Sequence, residues 1–195
     1  GGGTEFVWYE KISLGNGKGY NTFKMLQLDS ATTTLANGGS KQKPQLVMAT
    51  KETVSQVKVP VRPAPAQDLG YSPENVAFVR RAMVGVTQSG TSARAFAGAA
   101  YLSGGKTGTA QAVTMGQKEK YDARKMEEHQ RDHALYIAFA PADDPKIALA
   151  VVVENAGFGA EHAAPIARRV FDYWLLGKYP SEADPAAVKN GQVAT

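Results

Sequence analysis

Ala134–Asn155 reads ALYIAFAPADDPKIALAVVVEN, two apolar runs separated by a short polar segment bracketed by Pro141 and Pro145. Both runs have strand length and are rich in β-branched and aromatic side chains. The Asp143-Asp144 pair between the prolines is a turn signal, so the stretch predicts an antiparallel hairpin. Neither run alternates apolar with polar residues, which predicts strands buried on both faces. Such a hairpin needs a layer on each side, and the flanking sequence supplies candidates.

Upstream, YLSGGKTGTAQAV (Tyr101–Val113) reads as a third strand. Downstream, Pro165 to Leu176 predicts a helix with Ile166, Val170 and Trp174 at i, i+4 and i+8, stopped by Gly177. Toward the N-terminus, MLQLDSATTTLANGG predicts a helix with Leu28, Ala31 and Leu35 on one face and a left-handed stop at Asn37-Gly38. PQLVMATKETVSQVKVPVRP predicts two short strands, one at least an edge because of its prolines. The next helix has Ser72 as cap, Pro73 in the first turn, an apolar stripe of Val76, Val79, Met83 and Val86, and an end at Ser89-Gly90. TSARAFAG predicts one further helical turn. Together these define an α+β fold: an antiparallel sheet packed against helices. The expected core is the hairpin with the last helix, built from Ile137, Phe139, Ile147, Leu149, Val151 and Val153 with Val170, Phe171 and Trp174.

Bulk properties exclude several classes. The chain has 195 residues, 43% of them hydrophobic and 21% charged, an ordinary globular balance. Its net charge of +4 is too small to argue for nucleic acid. The most charged run, Gln117–His133, holds five basic and five acidic side chains and reads as a solvated loop or helix face. There is no cysteine, so disulfides and thiolate metal sites are excluded. No apolar run has transmembrane length. His129 and His133 are spaced as in a zincin helix, but Gln130 stands where the general-base glutamate belongs, so no metal site is assigned there. His162 reads as a surface or capping residue, Asp143-Asp144 as a turn and Glu127-Glu128 as a solvated face. No cofactor is implied.

The chemistry sits at SGGKTGTAQ (Ser103–Gln111), where one lysine stands on a glycine-rich strand among hydroxyls. A P-loop would need glycine at position 100, which is Ala100, and a following helix rather than a strand. A bare K-T-G can also be a glycine-rich strand with a solvated lysine. The alternative is the K-T-G element of serine acyltransferases that react with β-lactams, in which lysine and threonine bind a substrate carboxylate. There the glycine leaves room beside the strand and a strand N–H faces the developing oxyanion.

The resemblance extends beyond the tripeptide. GGKTGTAQ, EKYDARKMEEHQRDHALYIAFAPADDPKIALAVVVEN and AAPIARRVFDYWLLG resemble the penicillin-binding protein 2 family, class B peptidoglycan transpeptidases of rod-shaped cell-wall elongation. GYNTFKMLQL, LANGG and GTSARAF resemble the same family upstream. The likeness implies a β-lactamase/transpeptidase-like domain, here its C-terminal half. It covers residues 13–177 as a partial transpeptidase domain; residues 1–12, opening on Gly1-Gly2-Gly3, read as a linker, and the Ala/Pro/Ser-rich residues 178–195 as a mobile tail. By the same likeness Lys106, Thr107 and Gly108 are the substrate-binding third motif, and Thr109 supplies the oxyanion-hole N–H. The implied partners are peptidoglycan stem peptides, β-lactam antibiotics, the missing half of the domain and membrane proteins of the elongation complex, at the periplasmic face of the inner membrane.

The departures matter. The family's nucleophile lies in S-x-x-K, followed by S-x-N, and no S-x-N occurs in this sequence. S-x-x-K appears as Ser55–Lys58, in a predicted strand, and as Ser103–Lys106, overlapping the K-T-G. The chemistry needs the serine at a helix start so that the lysine one turn later reaches its hydroxyl. The expectation is a substrate-carboxylate-binding half whose nucleophile is not in this chain; a non-catalytic binding or scaffold module on the same fold is the alternative. Asn16, Lys18, Lys24 and Asp29 are more polar than the family's usual choices, which predicts Gly15–Asn37 as the most exposed region.

Overall fold

The computed structural model describes residues 25–110 and 132–179. Their elements run in chain order as α1 (Met25–Ala36), β1 (Ser40–Lys41), β2 (Ala49–Lys51), β3 (Lys58–Pro60), β4 (Gln67–Asp68), α2 (Pro73–Gln88), α3 (Ala93–Phe96), β5 (Gly104–Ala110), β6 (His133–Ala140), β7 (Ile147–Val153), α4 (Gly159–His162) and α5 (Ala164–Leu176). The central sheet is antiparallel with order β5-β6-β7. The α+β reading and the hairpin across residues 141–146 are both present. β6 is the middle strand, and Ala134, Tyr136, Ala138, Phe139 and Ala140 are fully buried on it. β7 is half-buried along its length, less than the sequence predicts, because it has a sheet neighbour on one side only among the described residues.

Strand alternation sorts the sheet into two faces. Tyr136, Ala138, Leu149 and Val151 meet Phe96 of α3 and Ala163, Ala164, Ala167 and Phe171 around α5. On the opposite face Phe139, Ile137 and Ala148 pack with Ala36 of α1 and Met83 of α2. The chain therefore rounds the outer edge of β5 between α2 and α3.

Three helix faces differ from the sequence periodicity, each for a physical reason. In α5 the buried residues are Ala164, Ala167 and Phe171, whereas Trp174 is 62% exposed and Val170 lies outward. Small side chains let the helix axis approach the sheet, and Phe171 then reaches between Phe96 and Tyr101, with ring centroids 6.2 and 6.1 Å away. Gly177 ends α5 in the left-handed conformation at φ 66°. In α2 Ser72 caps Asn75, and Val76 and Met83 are buried, but Val79 is exposed. The inward row is instead Val76, Arg80, Met83 and Thr87. The Arg80 guanidinium stands 5.6 Å from the Phe139 ring centroid and donates to the Ala142 carbonyl at 2.8 Å. In α1 Ala31 is exposed and Thr32 and Thr34 are buried. Their hydroxyls donate back to the Leu28 and Ser30 carbonyls at 2.7 Å, so burial leaves neither unsatisfied.

Because α1 packs on β6 and β7, the Met25–Asn37 part of the segment expected to be most exposed is a covered element. Asp29 is half-buried there, and burial raises its carboxyl above the usual range. Gly15, Asn16, Lys18 and Lys24 lie outside the described residues. The most exposed described region is residues 41–68, where β2 and β3 form an antiparallel hairpin and β1 pairs with β4.

Candidate functional site

β5 carries the motif and is an outer strand of the central sheet among the described residues. Lys106 lies opposite Ile137, Thr107 opposite Tyr136, Gly108 opposite Leu135 and Thr109 opposite Ala134. Lys106 thus stands on the α1/α2 face, and Thr107 and Thr109 on the α3/α5 face. The Lys106 ammonium is exposed and donates to the Thr107 carbonyl at 2.7 Å, which leaves two of its three N–H groups for another acceptor. The Thr107 hydroxyl lies 2.9 Å from the Thr91 hydroxyl, in the turn after α2.

The two glycines before Lys106 are required by packing. A Cβ on Gly104 would fall 2.8 Å from Cε1 of Phe139, and one on Gly105 would fall 2.5 Å from Cζ of Tyr136 and nearer its hydroxyl. The aromatic rings of β6 thus lie across β5 on both faces, each filling the space that a side chain would occupy. Gly108 also has a neighbour of its own: a Cβ there would meet Leu135 Cβ at 3.2 Å. Gly159, at the start of α4, sits on the Gly108–Leu135 pair. A Cβ on it would fall 2.6 Å from the Gly108 carbonyl oxygen.

A set of polar contacts that sequence reasoning passed over fixes this strand. Thr87 donates to the Ser103 carbonyl at 2.6 Å, and Ser92 shares a buried hydrogen bond of 2.9 Å with the Tyr136 hydroxyl. Burial pushes the Tyr136 phenol up to about 12, with the Ser92 bond opposing. Behind α3, Arg168 clasps Asp172 with Nε 2.9 Å from each carboxylate oxygen, and donates to the Ala95 and Ala97 carbonyls at 3.3 and 3.2 Å. The Tyr101 hydroxyl donates to the same carboxylate at 2.8 Å. Burial, then the Asp172 carboxylate, raises the Tyr101 phenol well above its ordinary range. The hydroxyls of Thr87, Thr91 and Ser92 lie at the end of α2 and in the turn after it, and that clustering was the available signal.

The serines of the S-x-x-K matches are not at helix starts. Ser55 lies in the β2–β3 turn rather than in a strand, and its hydroxyl bonds the Glu52 carboxylate. Ser103 precedes β5 and is 2% exposed, with no hydrogen-bond partner for its hydroxyl among the described residues. Three residues along a strand puts Lys106 on the opposite face from it. A third match, Ser40-Lys41-Gln42-Lys43, escaped the sequence reading, and its serine opens β1. His133 begins β6, so the HQRDH run is not one continuous helix. Its Nδ1 accepts from the Asn155 N–H at 3.0 Å; His129 lies outside the described residues.

The sequence profile of the penicillin binding protein transpeptidase domain matches residues 2–172, and the chain belongs to that family. Within the family its likeness is to penicillin-binding protein 2, the class B type. It is 38% identical over 184 residues to the peptidoglycan D,D-transpeptidase MrdA of Haemophilus influenzae, covering 90% of this chain and 27% of that protein. The chain spans about a quarter of the length of the curated relatives it matches. Among solved structures, Pseudomonas aeruginosa PBP2 in complex with WCK 5153 superposes with a TM-score of 0.61 at 35% identity, over 92% of this chain and 36% of that one. Penicillin-binding protein A of M. tuberculosis, as its imipenem acyl-enzyme complex, superposes with a TM-score of 0.64 at 31% identity, over 82% of this chain and 32% of the other. These matches agree with the α+β fold and with the resemblance read from the motif.

Proposed function

We propose that this chain is the carboxylate-binding part of a serine DD-transpeptidase that cross-links peptidoglycan stem peptides, and that its nucleophile is supplied from outside these 195 residues. Lys106, with free N–H donors, and the Thr107 hydroxyl hold the terminal carboxylate of the stem peptide. Gly108 keeps the strand low beside it, and the Thr109 N–H faces the oxyanion. In the whole enzyme a serine attacks the penultimate D-alanine carbonyl and the terminal D-alanine leaves as the amine. The acyl group then passes to a neighbouring stem's amine. By likeness to the family, the reading puts this reaction at the periplasmic face of the inner membrane. The observation that carries the reading is an exposed lysine with donors to spare, followed in the chain by a threonine, on the outer strand of a sheet similar to that of an acyl-enzyme-forming relative.

The test is intact mass after incubation with benzylpenicillin. The chain alone stays unmodified, and with the serine-bearing part of the domain restored it yields one adduct, mapped to that part. Lys106→Ala in the restored enzyme slows acylation roughly ten- to hundredfold, the loss of one charged hydrogen bond of about 1.5–3 kcal/mol. A stoichiometric adduct on Ser40, Ser55 or Ser103 of the chain alone overturns the missing-nucleophile reading. An unchanged rate in the Lys106 variant reduces that residue to a solvated strand position.

A further inference from the structure

The β2–β3 hairpin stands clear of the core: both strands are exposed throughout, except that Ala49 is half-buried. Its register is Ala49 opposite Pro60, Thr50 opposite Val59 and Lys51 opposite Lys58. The ladder continues at both ends, with the Val61 N–H donating to the Met48 carbonyl at 2.9 Å and the Glu52 N–H to the Val57 carbonyl at 3.1 Å. Alternation then divides the ribbon into two unlike faces. Met48, Val57, Val59 and Val61 share one, with Met48 83% exposed. Lys51, Lys58 and Arg62 share the other. Residues 41–62 hold five cationic side chains and one acidic one, a net charge of +4, which is the net charge of the entire chain.

The hydrogen-bond pattern also says which edge is usable. Since 48/61 and 52/57 are hydrogen-bonded pairs, 49/60 and 51/58 are the non-bonded ones, and their backbone groups point outward. On β2 that leaves the N–H and C=O of Ala49 and Lys51 aimed at open solvent. On β3 the corresponding positions are Lys58 and Pro60, and Pro60 has no N–H, so that edge offers one outward donor where β2 offers two. Non-bonded pairs also bring side chains closest, so Lys51 and Lys58 face each other as like charges, an arrangement that disfavours the isolated ribbon and favours a counter-anion.

We propose that the β2 edge is a docking strand for a partner protein whose extended segment alternates apolar and acidic residues. A strand added at Ala49–Lys51 sends successive side chains to opposite faces. Its apolar residues extend the Met48–Val59 face, and its carboxylates lie beside Lys51 and Lys58. One occupant thereby accounts for the unpaired edge and the concentrated charge together. A bilayer would cover the apolar face but leave the outward N–H groups unpaired and place Glu52 against lipid.

The probe is an acetylated, amidated peptide of alternating valine and glutamate, titrated into the 195-residue chain by amide NMR. Saturable shifts centred on Ala49 and Lys51 are expected, with at least about tenfold weaker binding by Lys51→Glu/Lys58→Glu, since charge reversal replaces attraction by repulsion. Ala49→Pro, which removes one outward donor, weakens binding in an otherwise unchanged spectrum. Equal binding of a valine–lysine peptide, or of polyglutamate without valine, overturns the proposal, as do shifts confined to another region. Binding to vesicles of phosphatidylglycerol with none to the peptide assigns the hairpin to lipid and overturns it as well. None of these outcomes depends on the carboxylate site at Lys106.

Discussion

Gly105→Ala tests whether the glycines before Lys106 serve packing. The added methyl would fall 2.5 Å from Cζ of a fully buried tyrosine and closer to its hydroxyl, so Tyr136 has to move. Overpacking of this kind costs about 1–3 kcal/mol. Displacing the phenol also strains or breaks its 2.9 Å bond to buried Ser92, a further loss of about 1 kcal/mol. The expected destabilisation is therefore about 2–4 kcal/mol, a large fraction of a typical domain's stability. Urea unfolding of the 195-residue chain, followed by circular dichroism, measures it. A double-mutant cycle with Tyr136→Val isolates the cause: with the ring removed, Gly105→Ala should be nearly neutral. A cost below about 0.5 kcal/mol in the parent, or the same cost in both backgrounds, refutes the argument that the ring dictates the glycine.

Gly177→Ala should cost only about 1 kcal/mol in the same assay, because nothing lies within 4 Å of the new methyl and the penalty is the left-handed φ of 66° alone. Arg168→Lys removes a two-oxygen clasp on Asp172 and the reach to two α3 carbonyls, so a loss of about 1–3 kcal/mol is expected although the charge is kept. Stability should also fall as pH rises from about 10 to 12. Tyr136 ionises near 10 in the unfolded chain and only near 12 when folded. Over that window the unfolded state binds fewer protons, and the loss is of the order of 1–3 kcal/mol. Alkaline melts of Tyr136→Phe should show a smaller decline across that window; an identical decline would place the titrating group elsewhere.

The central hairpin was legible because two apolar strands and a Pro-Ala-Asp-Asp-Pro turn have few other ways to fold. Helix positions were legible too, through Ser72, Pro73 and Gly177, whose cap chemistry is local. Helix faces were not. Counting large apolar side chains selects Val79 and Trp174, whereas the sheet accepts Arg80, Thr87, Ala164 and Ala167. Arginine lies inward because its stem covers Phe139 while its head finds a carbonyl, and alanines lie inward because closeness to the sheet is what that layer needs. The K-T-G lysine was readable from the motif. The hydroxyl of Thr91 beside Thr107 was not, since sixteen residues separate them in the chain and only the course around the sheet edge brings them together.

The rings across Gly104 and Gly105 also index the outer strand. A slide of β5 by two residues would keep each side chain on its face, and on most sheets would be a cheap error. Here it would bring Lys106 or Thr107 under an aromatic ring of β6 and leave the glycines without one. The strand has a single seat, and the cation's coordinates along it are set by two residues that have no side chain.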